Sequence, residues 1–141
     1  TVHRGGTYLC MEGPAFSTKA ESEFYQTLGC SVIGMTNHTE ARLAREAEIA
    51  YASLSMATDY DCWHQDHKKV TVEMVIENLK ANAEIGAEIV EATAKKISTI
   101  RPKSSSHNAL KDGLMTDKEK VPDQTRMKVD ILTRTYWGPF K

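Results

Sequence analysis

An alternation of segment types constrains this chain most. Three short apolar runs, GTYLCMEG (Gly6 to Gly13), CSVIGM (Cys30 to Met35) and IAYASLSMAT (Ile49 to Thr58), are each followed by a stretch with helical signals. After the first run, Thr18 and Glu21 have the spacing of a capping box, and Phe24, Tyr25 and Leu28 precede a closing Gly29. After the second, TNHTE supplies polar caps for a helix from about Glu40 to Glu48, with Leu43 and Ala47 on one face. The third run is too apolar for a solvated edge, so we expect it to be a central strand. From Thr71 onward, Val72, Val75, Ile76, Leu79, Ala83, Gly86, Ala87, Val90, Ala94 and Ile97 recur at helical spacing. That spacing predicts a helix of about 26 residues with one stripe facing the core. Strands alternating with helices define an α/β chain with a mixed or parallel sheet covered on both faces.

Residues 1–100 form the expected main body. Pro102 stops the long helix, RPKSSSHN (Arg101 to Asn108) reads as a linker, and a weaker amphipathic helix is predicted from Val121 to Leu132, with Pro122 near its first turn. Residues 101–141 are thus expected to be a linker and a C-terminal helical extension docked on the surface.

Composition narrows the function classes. The 141 residues, 40% of them hydrophobic, suffice for one domain. With 18 basic and 19 acidic residues the formal charge is −1, which gives no electrostatic reason to expect nucleic acid or an anionic membrane as partner. Cys10, Cys30 and Cys62 are odd in number and lack paired spacing, so neither a disulfide framework nor a zinc cage is expected. No apolar stretch approaches the roughly 20 residues of a spanning helix. A soluble protein in a reducing, cytoplasmic setting is the expectation. The sequence opens inside a strand-like run and without Met, from which we expect it to start in the middle of a fold.

In open α/β sheets, ligands sit where strands end and loops begin. Three exits therefore matter: EGPAFST, GMTNHTE and ATDYDCW. Asp59 and Asp61 share one side if the extended geometry persists past Thr58, and two neighbouring carboxyls in a pocket favour a proton donor near neutral pH. The competing readings are a turn cap and a metal-binding D-x-D of a nucleotide-sugar transferase. Phe16 suits stacking on a flat ligand or a staple into the core. Met35 and Thr36 offer an apolar contact and a hydroxyl, the latter also suited to capping a helix. Cys62, His64 and His67 do not have the spacing of a standard metal site.

Taken in order, EGPAFSTKAES, GMTNHTEARLAREAEI and MATDYDCW resemble the C-terminal half of 5′-methylthioadenosine phosphorylases, in the trimeric purine nucleoside phosphorylase superfamily. The likeness spans about residues 3–97. It implies the C-terminal half of a three-layer α/β nucleoside phosphorylase fold with a mixed central sheet. It also implies phosphorolysis of 5′-methylthioadenosine to adenine and 5-methylthioribose 1-phosphate, with inorganic phosphate as co-substrate and no cofactor. By the same resemblance Asp59 serves purine N7 and the exocyclic amine and Asp61 lies beside it on the amine side, while Phe16 lies against the base and Ser17 reaches its edge. Met35 contacts the ribose, Thr36 bonds phosphate or a sugar hydroxyl, and Val70, Val72 and Val75 line the 5′-methylthio pocket. Relatives acting on 6-oxopurines carry Asn at the first aspartate and FET where this chain has Phe16-Ser17-Thr18, so adenine is the expected base. A methylthioinosine or other purine nucleoside substrate is the alternative.

The resemblance also implies parts that these residues do not supply. The family's Gly-rich phosphate loop, its Arg-His pair and a further hydroxyl-bearing phosphate segment are absent from the sequence. We therefore expect a missing N-terminal half as partner, a homotrimeric assembly, and instability of the chain alone. A noncatalytic piece retained for assembly is the remaining alternative.

Overall fold

The computed structural model describes residues 2–64 and 72–140, with the backbone alone for residues 72, 74 and 75. They form two units, one of residues 1–37 with 53–102 and one of residues 38–52 with 103–141.

The first unit begins as a β-α-β element. Strand β1 (Thr7–Cys10) leads through helix α1 (Lys19–Thr27) to strand β2 (Cys30–Gly34), which pairs with β1 in parallel. A parallel pair needs a long crossover, and α1 supplies it. Cys10 lies opposite Gly34, and the Met11 N–H extends the ladder to the Gly34 carbonyl at 2.9 Å, so both strands leave the sheet at the same end. The Tyr8 ring lies close over Gly34, and a Cβ there would force the Tyr8 side chain to shift.

The predicted capping box sets the start of α1. Thr18 Oγ1 accepts the Glu21 N–H at 3.3 Å, and Glu21 Oε2 accepts the Thr18 N–H at 2.7 Å and its hydroxyl at 2.8 Å. Gly29, at φ +74°, takes the left-handed position just past the helix, where a side chain would be strained. The N–H and hydroxyl of Thr18 hold the Glu21 carboxyl below its ordinary 4.5. A carboxyl depressed by folding contributes stability above its unfolded pKa and loses it as pH falls through the folded value. Protection of the α1 amides against hydrogen exchange should therefore drop between pH 5 and pH 3. Glu21→Gln should flatten that dependence, and Thr18→Ala should weaken the helix at every pH by roughly 1 kcal/mol. A wild-type protection profile that ignores pH in this range would refute the assignment.

Residues 49–58 are not the expected central strand. A strand exists through its ladder, and among the described residues the sheet holds only β1 and β2. Residues 53–58 instead run beside helix α3 (Val72–Ile100). Its Asn78 amide donates to the Thr58 carbonyl at 2.8 Å and its Asn82 amide to the Ala57 carbonyl at 3.3 Å. A Cβ on Gly86 would lie 3.4 Å from Met56 Sδ, so the small residue admits the thioether close to the helix. At 29 residues α3 is slightly longer than its apolar period suggested. The stripe is present, yet Ile76, Leu79, Val90 and Ile97 remain 46% to 66% exposed, because no layer among the described residues covers them.

In the second unit, helix α2 (Asn37–Glu46), whose first residue still belongs to the first unit, starts three residues before its expected position. It ends at Glu46, two residues short of its expected end, and Glu48 in the turn beyond it takes φ +58°. Glu48 Oε1 accepts the Leu110 N–H at 3.0 Å and the Tyr136 hydroxyl, tying α2 to the later segment. That hydrogen bond to a carboxylate pushes the Tyr136 phenol above its ordinary range. The expected linker contains a 3-10 turn, Ser105–Asn108, capped by Ser104. Helix α4 (Asp123–Trp137) begins directly behind Pro122, two residues later than its expected start at Val121, and runs five residues further than its sequence pattern marked. The Asp130–Arg134 ion pair at 2.5 Å bridges that extra turn, and Gly138 at φ +79° ends it. Asp130 also accepts the Phe140 N–H at 2.7 Å, folding the chain back on the helix.

Burial sets this chain apart. Among the described residues no hydrophobic side chain is buried, and the two that are covered are polar, Ser22 at 3% exposure and Thr133 at 6%. The chain exposes 11905 Å². A folded monomer of 15.7 kDa would expose about 7,300 Å². Among the described residues no helix is long and apolar enough to cross a membrane.

Candidate active site

Because β1 and β2 are parallel, the loops that follow them emerge together. A Cβ on Gly13 would lie 2.5 Å from Met35 Cε, so the loop after β1 lies directly against the turn after β2. The third exit joins them through Cys62, whose thiol donates to the Ser17 carbonyl at 3.5 Å, and through Asp61, whose Oδ2 accepts the hydroxyl of Ser22 on α1 at 2.6 Å. Three loops thus meet at one end of the sheet, each bringing residues that the sequence singled out.

The Asp59-Tyr60-Asp61 stretch does not stay extended. Asp61 adopts φ +58° and opens a 3-10 turn, Asp61–Trp63, so the same-side rule for alternate strand residues does not apply. The two carboxylates take different partners. Asp59 Oδ1 accepts the Asp61 N–H at 2.8 Å, and its Oδ2 accepts the Thr58 hydroxyl at 2.7 Å. Asp59 therefore caps its own turn while remaining exposed to solvent. Asp61 is half-buried and held by Ser22. Burial together with the neighbouring Asp61 carboxylate pushes the Cys62 thiol up, away from a reactive thiolate.

The remaining candidates divide. Phe16 is 83% exposed, so it is no staple into a core of this chain. Ser17 donates to Met11 Sδ at 3.3 Å, with its carbonyl on Cys62. Met35 is 41% exposed, and Thr36 is exposed one residue ahead of α2. Val70 lies outside the described residues, and Val72 and Val75 are described only as backbone in the first turn of α3. His67 also lies outside them, and among the described residues no three His, Cys, Asp or Glu side chains are grouped to hold a metal.

Sequence reasoning did not single out Ser22, Thr58, Asn78 or Asn82. The signal for the asparagines was available, since two amides four apart on an otherwise apolar helix face are placed to satisfy a neighbouring backbone. Ser22 carried no comparable signal, because its partner lies 39 residues away.

The loops after β1 and β2, with an exposed aromatic ring and a methionine, are joined by a third segment that brings two aspartates, and such a set of residues suits a flat polar ligand. The family model described as the Phosphorylase superfamily matches residues 1–95, and the chain belongs to that superfamily. It is 66% identical over 139 residues to the S-methyl-5′-thioadenosine phosphorylase of Prochlorococcus marinus, covering 99% of this chain and 44% of that protein. It is 53% identical to the enzyme of the same name from Gloeobacter violaceus, over 96% of this chain and 45% of the relative. Among solved structures, a methylthioadenosine phosphorylase from an antarctic soil metagenomic library superimposes with a TM-score of 0.84 at 42% identity, over 90% of this chain and 44% of that one. A point mutant of adenosine/methylthioadenosine phosphorylase from Schistosoma mansoni, solved with methylthioadenosine, gives a TM-score of 0.60 at 30% identity, over 82% and 39% of the two chains. The chain spans under half the length of the curated relatives it matches.

Proposed function

We propose that this chain supplies the purine and 5′-methylthio side of a phosphorylase site that converts 5′-methylthioadenosine and inorganic phosphate to adenine and 5-methylthioribose 1-phosphate. The observation that carries the reading is the meeting of three loops at one end of the sheet, with Asp59 and Asp61 in the third. Superfamily membership and relatives named for this reaction support it.

Phosphate oxygen forms a bond to ribosyl C1′ as the C1′–N9 bond breaks, and the bonding pair flows into the purine. A proton delivered at N7 by Asp59 lowers the cost of that charge. The Thr58 hydroxyl suits this role, because a hydroxyl that donates to the Asp59 carboxylate can reverse and accept when the carboxyl is protonated. Asp61 accepts from the 6-amino group, Phe16 stacks on the base and Ser17 meets its edge. Met35 contacts the ribose, and Thr36 bonds phosphate or a sugar hydroxyl. Val70, Val72 and Val75 form the apolar wall that prefers a thioether to a hydroxyl.

The rest of the phosphate cradle comes, in this reading, from superfamily sequence outside these 141 residues, an N-terminal half that also covers the exposed faces of α3 and the sheet. A homotrimer in the cytoplasm, with no cofactor, completes the proposal. The test is phosphate-dependent release of adenine from methylthioadenosine by this chain assembled with that half, alongside release of hypoxanthine from methylthioinosine. Preferential adenine release is expected. Release of hypoxanthine alone would transfer the site to 6-oxopurines, and no release of either base would overturn the reading.

A further inference from the structure

We propose that Ser22 is the positioning residue that makes this site selective for a 6-amino over a 6-oxo purine. The proposal rests on the reading above, and deepens it. Ser22 is 3% exposed, the most fully covered of the described residues, and it sits in α1 outside every loop assigned to the ligand. Its single hydroxyl proton points at Asp61 Oδ2 across 2.6 Å. A hydroxyl bonded to a carboxylate in this short range is a charge-assisted donor that fixes the direction of its partner.

The consequence for a ligand is directional. With Ser22 donating to one oxygen, Asp61 meets the ligand as an acceptor. Such a group accepts a hydrogen bond from an exocyclic amine and repels the lone pairs of a carbonyl oxygen in the same place. Sites built around a specific donor reject an analogue lacking it far more strongly than apolar pockets reject a missing methylene. Asp61 is left-handed, opens a 3-10 turn and lies outside the sheet, so the direction of its side chain is set by its own hydrogen bonds. Asp59, by contrast, is held within its own turn by Thr58 and the Asp61 N–H.

The experiment measures binding of adenine and hypoxanthine by calorimetry, with turnover of methylthioadenosine, in the assembled protein carrying Ser22→Ala, Ser22→Thr, Asp61→Asn and the Ser22→Ala/Asp61→Asn pair. Ser22→Ala should lower the preference for adenine over hypoxanthine roughly tenfold, the scale of one hydrogen bond to a charged group. Ser22→Thr, which keeps the hydroxyl, should restore most of it. The double variant should be no less selective than Asp61→Asn alone, because Ser22 acts through that carboxylate. Wild-type turnover with an unchanged preference in Ser22→Ala, or additive losses in the pair, would overturn the proposal and leave the function standing. A wild-type assembly that binds neither purine would remove both.

Discussion

Asp59→Asn is expected to cut phosphate-dependent adenine release by 10² to 10⁴-fold, roughly what a positioned general acid contributes, while adenine affinity changes far less. The substitution isolates proton transfer because it spares the turn. An Asn oxygen still accepts the Asp61 N–H now bonded to Asp59 Oδ1, and the Asn amide can donate to the Thr58 hydroxyl that now donates to Oδ2. The amide cannot deliver a proton to N7 and recover it. Single-turnover kinetics separate this step from binding. Near-wild-type turnover would reduce Asp59 to the turn cap that its geometry already makes it, and the leaving-group proton would need another source.

The second large effect concerns folding. The 141 residues alone are expected to bind a hydrophobic dye strongly and to melt without a cooperative transition. Adding the complementary superfamily half should abolish dye binding and produce one sharp transition. The basis is the absence of any buried hydrophobic side chain among the described residues, together with an exposed surface of 11905 Å². At about 25 cal/mol per Å² of apolar surface removed from water, covering even 1,000 Å² would contribute on the order of 25 kcal/mol before ordering costs. The exposed edges of β1 and β2 add a tendency to pair with other chains. A monomeric 141-residue sample that melts cooperatively and ignores the dye would contradict this account.

Local structure was legible wherever neighbours in sequence carry the signal. Thr18 and Glu21 announced the start of α1 and Gly29 its end, and the three-four spacing of apolar residues announced α3. Residues 49–58 misled because apolar composition does not by itself supply a ladder, and Ile49, Tyr51 and Leu54 stay exposed here. Their carbonyls at 57 and 58 are instead taken by Asn82 and Asn78. The extra turn of α4 was hidden because the Asp130–Arg134 pair and Gly138, which extend and end it, lie outside its apolar pattern.

The candidate site follows the same division. The sequence by itself determined the motifs, the membership of a superfamily, and the identities of Phe16, Ser17, Met35, Thr36, Asp59 and Asp61 at segment ends. It also determined two strands and their crossover helix, since alternation and capping are short-range signals. Only the tertiary structure decided that the three exits converge, that Asp61 turns left-handed to meet Ser22, and that Asn78 and Asn82 hold the segment leading to Asp59. Those contacts join residues 20 to 45 positions apart. Their geometry depends on which backbone groups the parallel pair and α3 leave to be satisfied, and no local pattern encodes that.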